Sequence, residues 1–155
     1  MTSRYVYLAG PISHLKYHEA NDWRVRFQEF LAPNITALSP MRGTAWLKDR
    51  YKNQELPVRP AGGFPEFTDA ALAGRDHYDI LHSDVVLANF IGCRAPSLGT
   101  AWEIGIAWQA RVPVLVVCNP GNVHDHGLLR ASATWWVGDV KEAAGILNTM
   151  LGAYV

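Results

Sequence analysis

The strongest constraint on the fold is a repeated alternation. Short, uninterrupted apolar runs are separated by stretches with helical spacing. Residues 4–9 (Arg-Tyr-Val-Tyr-Leu-Ala), 35–38, 85–90 (Val-Val-Leu-Ala-Asn-Phe), 112–118 (Val-Pro-Val-Leu-Val-Val-Cys) and 134–137 read as strands. The strongest of these do not alternate with polar residues, so both faces of each strand must be covered. That pattern belongs to parallel sheets buried between helices, not to sandwiches with one wet face.

The intervening segments supply the helices. Between residues 17 and 31, Ala20, Trp23, Phe27, Phe30 and Leu31 recur at three- and four-residue spacing, and Pro33-Asn34 ends the pattern. Helices are also expected over 68–82, 100–110, 128–133 (a short one) and 140–151. The predicted fold is α/β: a doubly wound, mostly parallel five-stranded sheet with helices on both faces, flavodoxin- or Rossmann-like, in one domain over 1–155. Residues 41–67 show no clear period. They hold Lys48, Arg50, Lys52, Arg59, several prolines and Gly62-Gly63. A tract of this kind inside a compact domain is expected to be a functional loop or lid, or disordered.

In doubly wound sheets ligands sit at the carboxyl ends of the strands. The loops 10–13, 39–43, 89–99 and 119–126 are therefore expected to converge on one crevice. Fourteen basic residues balance fourteen acidic ones, so no broad field favours a nucleic acid or a membrane surface. No apolar stretch reaches the roughly 20 residues of a membrane span. The N-terminus enters a strand pattern without signal-peptide features, which makes the cytoplasm the default expectation. Cys93 and Cys118 belong to no metal-ligand pattern and read as reduced thiols. Six tryptophans fit a deep core, a subunit interface or a pocket that stacks a base.

The densest chemical signal is Ser97-Leu-Gly-Thr-Ala-Trp-Glu. Ser97 and Gly99 precede a helix that Thr100 is placed to cap, and free amides at such an end suit phosphate or another anion. Glu103 then falls in the first turn. Thr100 and Glu103 also match a capping box, which needs no chemistry at all. Asp76 and Asp79 stand near the end of the preceding helix, where acids oppose the dipole. Two carboxylates at one crevice can divide the work, one ionised as nucleophile and one as general acid to a leaving base; solvated charge is the plainer alternative. Tyr7, buried near the end of the first strand, is either core or a support for a carboxylate. Asn122, His124, Asp125 and His126 cluster after the most apolar strand. No third ligand stands at a convincing spacing, so substrate contact through Asn122 and His126 is preferred to a metal, and no cofactor is called for.

Taken together, these residues resemble the nucleoside 2-deoxyribosyltransferase family, whose relatives include the 2′-deoxynucleoside 5′-phosphate N-hydrolases. The resemblance covers roughly residues 5–137. It rests on Val6-Tyr-Leu-Ala-Gly-Pro-Ile-Ser, on Arg75-Asp76 eight residues before Asp84, and on Gly99-Thr-Ala-Trp-Glu-Ile-Gly. It implies that Glu103 attacks C1′ of a deoxyribose, that Asp76 handles the proton on the leaving base and that Tyr7 orients Glu103. A covalent deoxyribosyl–glutamate intermediate is expected, with Glu103 kept ionised by the helix dipole and buried donors. Substrate contacts are expected from Gly10, Pro11, Ile12, Ser13, Arg42, Asp79, Ser97, Gly99, Thr100, Asn122 and His126, and Tyr154 is a further C-terminal candidate.

The chain departs from the plain transferases at Ser97, six positions before the glutamate, where those enzymes tend to carry an acid. Serine there resembles the hydrolases, in which it helps hold a 5′-phosphate, and Ser13 points the same way. The first loop, Gly-Pro-Ile-Ser-His, is less rich in Gly and Ser than is usual in the hydrolases, and Leu38-Ser-Pro-Met-Arg-Gly does not match the base-binding loop of the best-known transferases. The leading expectation is transfer of deoxyribose between nucleobases. Hydrolysis of deoxynucleoside 5′-monophosphates is the alternative, and a non-catalytic nucleotide sensor the second. The expected partners are a small deoxynucleoside or deoxynucleotide and a free nucleobase. The family also implies a homo-oligomer with shared active sites, the 122–126 loop being the natural donor to a neighbour.

Overall fold

The computed structural model describes residues 2–59 and 64–153. Gly62-Gly63 and Tyr154 lie outside the described residues. Five strands form one all-parallel sheet: β1 (Arg4–Ala9), β2 (Ile35–Leu38), β3 (Val85–Asn89), β4 (Val114–Val117) and β5 (Trp135–Val137). Their order is β2-β1-β3-β4-β5. Among the described residues six helices accompany the sheet: α1 (Tyr17–Glu29), α2 (Trp46–Tyr51), α3 (Asp69–Leu81), α4 (Leu98–Gln109), α5 (Gly127–Ser132) and α6 (Val140–Leu151). The expected fold class is the observed one.

Strand side chains alternate between two apolar layers, as the period of two requires. Val6, Leu8, Val85, Leu87, Leu115 and Val117 meet Phe27 of α1 and Ala143, Ala144 and Leu147 of α6. Tyr7, Ala9, Val86, Ala88, Val114 and Val116 meet Ile80 of α3 and Ile104 and Ala107 of α4. Continuous apolar strands thus reflect two buried faces. The sheet order reverses between β1 and β3, which creates a crevice at their carboxyl ends. Val6 to Ala9 run in register with Val85 to Ala88 there.

Gly10 closes β1 where a side chain would be crowded. A Cβ on it would lie 3.0 Å from the Asn89 carbonyl oxygen, 3.1 Å from the Trp23 ring and 3.2 Å from the Arg24 guanidinium. Ordinary carbon–oxygen packing is looser than this.

The tract 41–67 differs from expectation. It forms α2 and a 3-10 turn, Pro65–Phe67. Met41, Leu47 and Leu56 bury a third apolar cluster with Ala20 of α1. Backbone bonds from His14 to Leu56 and from Leu56 to Leu15, each 2.8 Å, fasten it to the loop after β1. Its described part is a packed wall and not a free lid; its three anchoring residues, Met41, Leu47 and Leu56, are too widely spaced in sequence to show a period. Smaller shifts are local. Helix α4 begins at Leu98, two residues earlier than expected, and β4 starts at Val114 because Pro113 has no N–H and takes part only through its carbonyl, which accepts from Val86.

Candidate active site

A cavity of about 700 Å³ opens at the carboxyl ends of β1, β2 and β3. Its lining includes the turn Gly10 to Leu15, Met41, Thr44 and Trp46 from the 41–67 tract, Arg75 and Asp76 of α3, and 92–100 with Glu103 from the β3–α4 connection. The Asn119 to His126 loop does not line it.

Glu103 is placed by helical spacing. In α4 the buried residues are Thr100, Glu103, Ile104 and Ala107, the i, i+3, i+4, i+7 stripe that faces the sheet. The carboxylate is therefore carried inward among apolar side chains and is only 8% exposed. Tyr7, pointing from β1 into the same layer, donates its hydroxyl to Glu103 Oε1 at 2.6 Å. Burial raises the Glu103 pKa from 4.5 to about 7; the Tyr7 hydrogen bond and the Arg24 charge oppose that rise, and the Asp76 charge adds to it. Desolvation thus outweighs the donors near Glu103, and the carboxylate ionises less readily than the expected support from dipole and donors implies. The same burial, with the charges of Glu103 and Asp76, raises the Tyr7 pKa, so its hydroxyl keeps its proton and remains a donor.

The capping-box reading of Thr100 and Glu103 is also corrected. Ser97 is the cap: its Oγ accepts from the Thr100 amide at 3.4 Å and lies 2.9 Å from Thr100 Oγ1. With the helix starting at Leu98, Glu103 sits beyond the first turn and cannot reach back to a cap. Thr100 remains on the cavity wall, as do Ser97, Gly99 and the turn Gly10, Pro11, Ile12 and Ser13.

Asp76 also faces the cavity. Arg75 grips its Oδ1 through Nε and Nη2 at 3.1 and 3.0 Å, and the same Nη2 donates to the Pro40 carbonyl at 2.6 Å. Burial raises the Asp76 pKa, and the Arg75 charge and hydrogen bond pull it back.

Four expected substrate contacts are engaged elsewhere. Asp79 and Arg42 pair with each other at 2.5 Å and lie off the cavity lining. Three residues along α3 from Asp76, Asp79 is turned toward the loop after β2. Asn122 donates to the Phe90 carbonyl at 2.9 Å and accepts from the His124 amide at 3.0 Å. His126 caps α5, accepting from the Leu128 amide at 3.2 Å.

Sequence reasoning missed Arg24, a cation only 2% exposed. It donates to the carbonyls of Leu8 (3.2 Å), Gly10 (2.9 Å) and Ala20, and lies over the Trp23 ring. Burial lowers its pKa to about 10, so it stays charged near neutrality, and its field favours ionised Glu103. The signal was present: Ala20, Arg24 and Phe27 share a helical stripe, and an arginine in such a stripe is an anomaly.

Fold and cleft together place a cavity of small-molecule size at the switch point of an α/β sheet, with a buried carboxylate in its wall. The chain belongs to the nucleoside 2-deoxyribosyltransferase family, whose sequence profile matches residues 6–133. Members act on nucleosides and nucleobases. A conserved protein from Enterococcus faecalis V583 has a similar structure, with TM-score 0.60 and 17% identity over 97% of this chain and 100% of that one. So has a 2-desoxiribosyltransferase from Leishmania mexicana, with TM-score 0.55 and 18% identity over 97% of this chain and 99% of that one. No curated protein sequence gives a significant match. Among the described residues no helix is long and apolar enough to cross a membrane.

Proposed function

We propose that the protein moves 2-deoxyribose from one nucleobase to another through a covalent intermediate on Glu103. The observation that carries this reading is the Tyr7–Glu103 hydrogen bond, which holds a carboxylate that lines the cavity. Tyr7 occupies Oε1, which leaves Oε2 as the attacking atom. A C1′–O bond to Glu103 forms as the C1′–N bond breaks, and the bonding electrons leave with the base. Asp76, its pKa raised by burial, gives that base a proton. An incoming base then displaces Glu103 from C1′ and returns a proton to Asp76. Two displacements at one carbon retain its configuration.

A second reading is favoured by the α4 terminus. Ser97, Gly99, Ser13 and Arg94 share the cavity wall, and the amides of Leu98 and Gly99 have no intrahelical acceptor by their position. This suits a 5′-phosphate, with water in place of the second base. Deoxyinosine plus adenine in one reaction, and dGMP alone in another, separate the two. Deoxyadenosine from the first mixture supports transfer; free guanine from dGMP with no exchange replaces it by hydrolysis. A wild type that binds nucleotides and converts none from a broad panel is a sensor.

The reading includes a homo-oligomer. Leu98, Trp102 and Trp108 leave α4 as exposed apolar side chains suited to a subunit contact. A monomer in sedimentation at assay concentration would remove shared sites from the account.

A further inference from the structure

The His124 imidazole is buried, with 4% exposure, and lies flat on Phe90 with centroids 4.0 Å apart and 12° between the rings. It lines no part of the cavity. Its Nε2 lies 2.8 Å from the Ser97 amide, and its Nδ1 lies 2.9 Å from Asn122 Oδ1. Asn122 Nδ2 in turn donates to the Phe90 carbonyl at 2.9 Å.

Both ends of this chain of bonds are backbone groups with fixed roles. The Phe90 carbonyl can only accept, so the Asn122 amide must present its nitrogen there and its oxygen to His124. The Ser97 amide can only donate, so Nε2 must be bare and the ring proton must sit on Nδ1. Burial lowers the His124 pKa and favours this neutral form. The chain of bonds ties the end of β3 to the cap of α4, across the loop 92–97, whose residues line the cavity. Gly92 turns that loop away from β3 at φ +75°, a conformation side chains disfavour.

We propose that His124, held as the Nδ1–H tautomer, is a positioning residue that fixes Ser97 and the 92–97 loop for binding the sugar end of the substrate. The proposal rests on reading the cavity as the nucleoside site. It needs no contact between His124 and substrate. It also gives the 119–126 loop a task within its own chain.

Three variants and two kinds of readout test it. His124→Phe keeps a ring on Phe90 and removes the acceptor. His124→Gln places an amide oxygen near the position of Nε2. In His124→Asn the shorter side chain falls short of Ser97. For the deoxynucleoside or monophosphate that the wild type converts, the Phe and Asn variants are expected to raise KM about tenfold, with kcat within about twofold, and Gln to recover most of the loss. Nitrogen-15 NMR of the wild type is expected to show a protonated Nδ1 and a bare Nε2. Hydrogen exchange at the Ser97 amide is expected to be slow in the wild type and the Gln variant and fast with Phe. A proton on Nε2, a Phe variant with unchanged KM, or Ser97 exchange insensitive to substitution overturns the proposal. A wild type without turnover overturns the functional reading instead, and the NMR and exchange results still decide whether His124 holds the loop.

Discussion

Glu103 is held at one oxygen by Tyr7 and surrounded by apolar side chains, and the two influences act oppositely on its proton. Only the ionised carboxylate attacks C1′, so kcat/KM should fall as pH drops through about 7, the Glu103 pKa in the free protein. Tyr7→Phe removes a donor that favours the ionised form. Its acid limb is expected to move about one unit or more to higher pH, which a pH–rate profile checks; an unmoved limb assigns that limb to another group. Stability carries the opposite mark of the same burial. The folded protein keeps the Glu103 proton up to about pH 7, whereas the unfolded chain gives it up near 4.5. Stability therefore declines as pH rises across that window. Glu103→Gln cannot ionise and escapes the decline. It should abolish turnover yet gain about 3 kcal/mol over the wild type in urea unfolding at pH 8, with the gain disappearing by pH 4. The carboxylate and the aspartate behind it were legible as residues in the sequence. The raised pKa was not, because it depends on how completely the packing of α4 against the sheet removes Glu103 from water.

At the scale of elements, α4 does two tasks with one set of residues. Its inward stripe packs on the sheet and carries Glu103, and its first turn forms the cavity wall. Ser97→Asp keeps a capping oxygen and adds a negative charge beside the amides of Leu98 and Gly99. The helix should persist by circular dichroism. Use of any 5′-monophosphate should fall at least about tenfold relative to the corresponding nucleoside; equal effects on both substrates would remove the phosphate from this end of the cavity. The position of the helix start shows the limit of local patterns. Thr100 with Glu103 satisfies a capping box in sequence, but the competing cap at Ser97 wins because it lets Thr100, Glu103, Ile104 and Ala107 face the sheet together. The 41–67 tract failed to show a period for a similar reason. Its anchors, Met41, Leu47 and Leu56, are fixed by packing on Ala20 of α1 and not by their neighbours in sequence.

For the whole molecule, the sheet is shared by two apolar layers, and substitutions in its central strand are felt on both sides of the crevice. Leu87 of β3 is fully buried in the layer under α1 and α6, away from Glu103. Leu87→Ala should cost about 2–5 kcal/mol in urea unfolding while leaving the pH of the acid limb where it is. The class of fold, the order of strands and helices outside 41–67 and the residue types at the strand ends were determined by the sequence alone. Each follows from short-range periodicity and from apolar runs that demand two covered faces. The tertiary structure decided which polar groups share a space. It brought Tyr7 to Glu103 across 96 residues of chain, turned Asp79 and Arg42 toward each other, and spent Asn122 and His124 on holding a loop. Those pairings depend on distances set by the packing of whole helices on the sheet, and no local pattern encodes such distances.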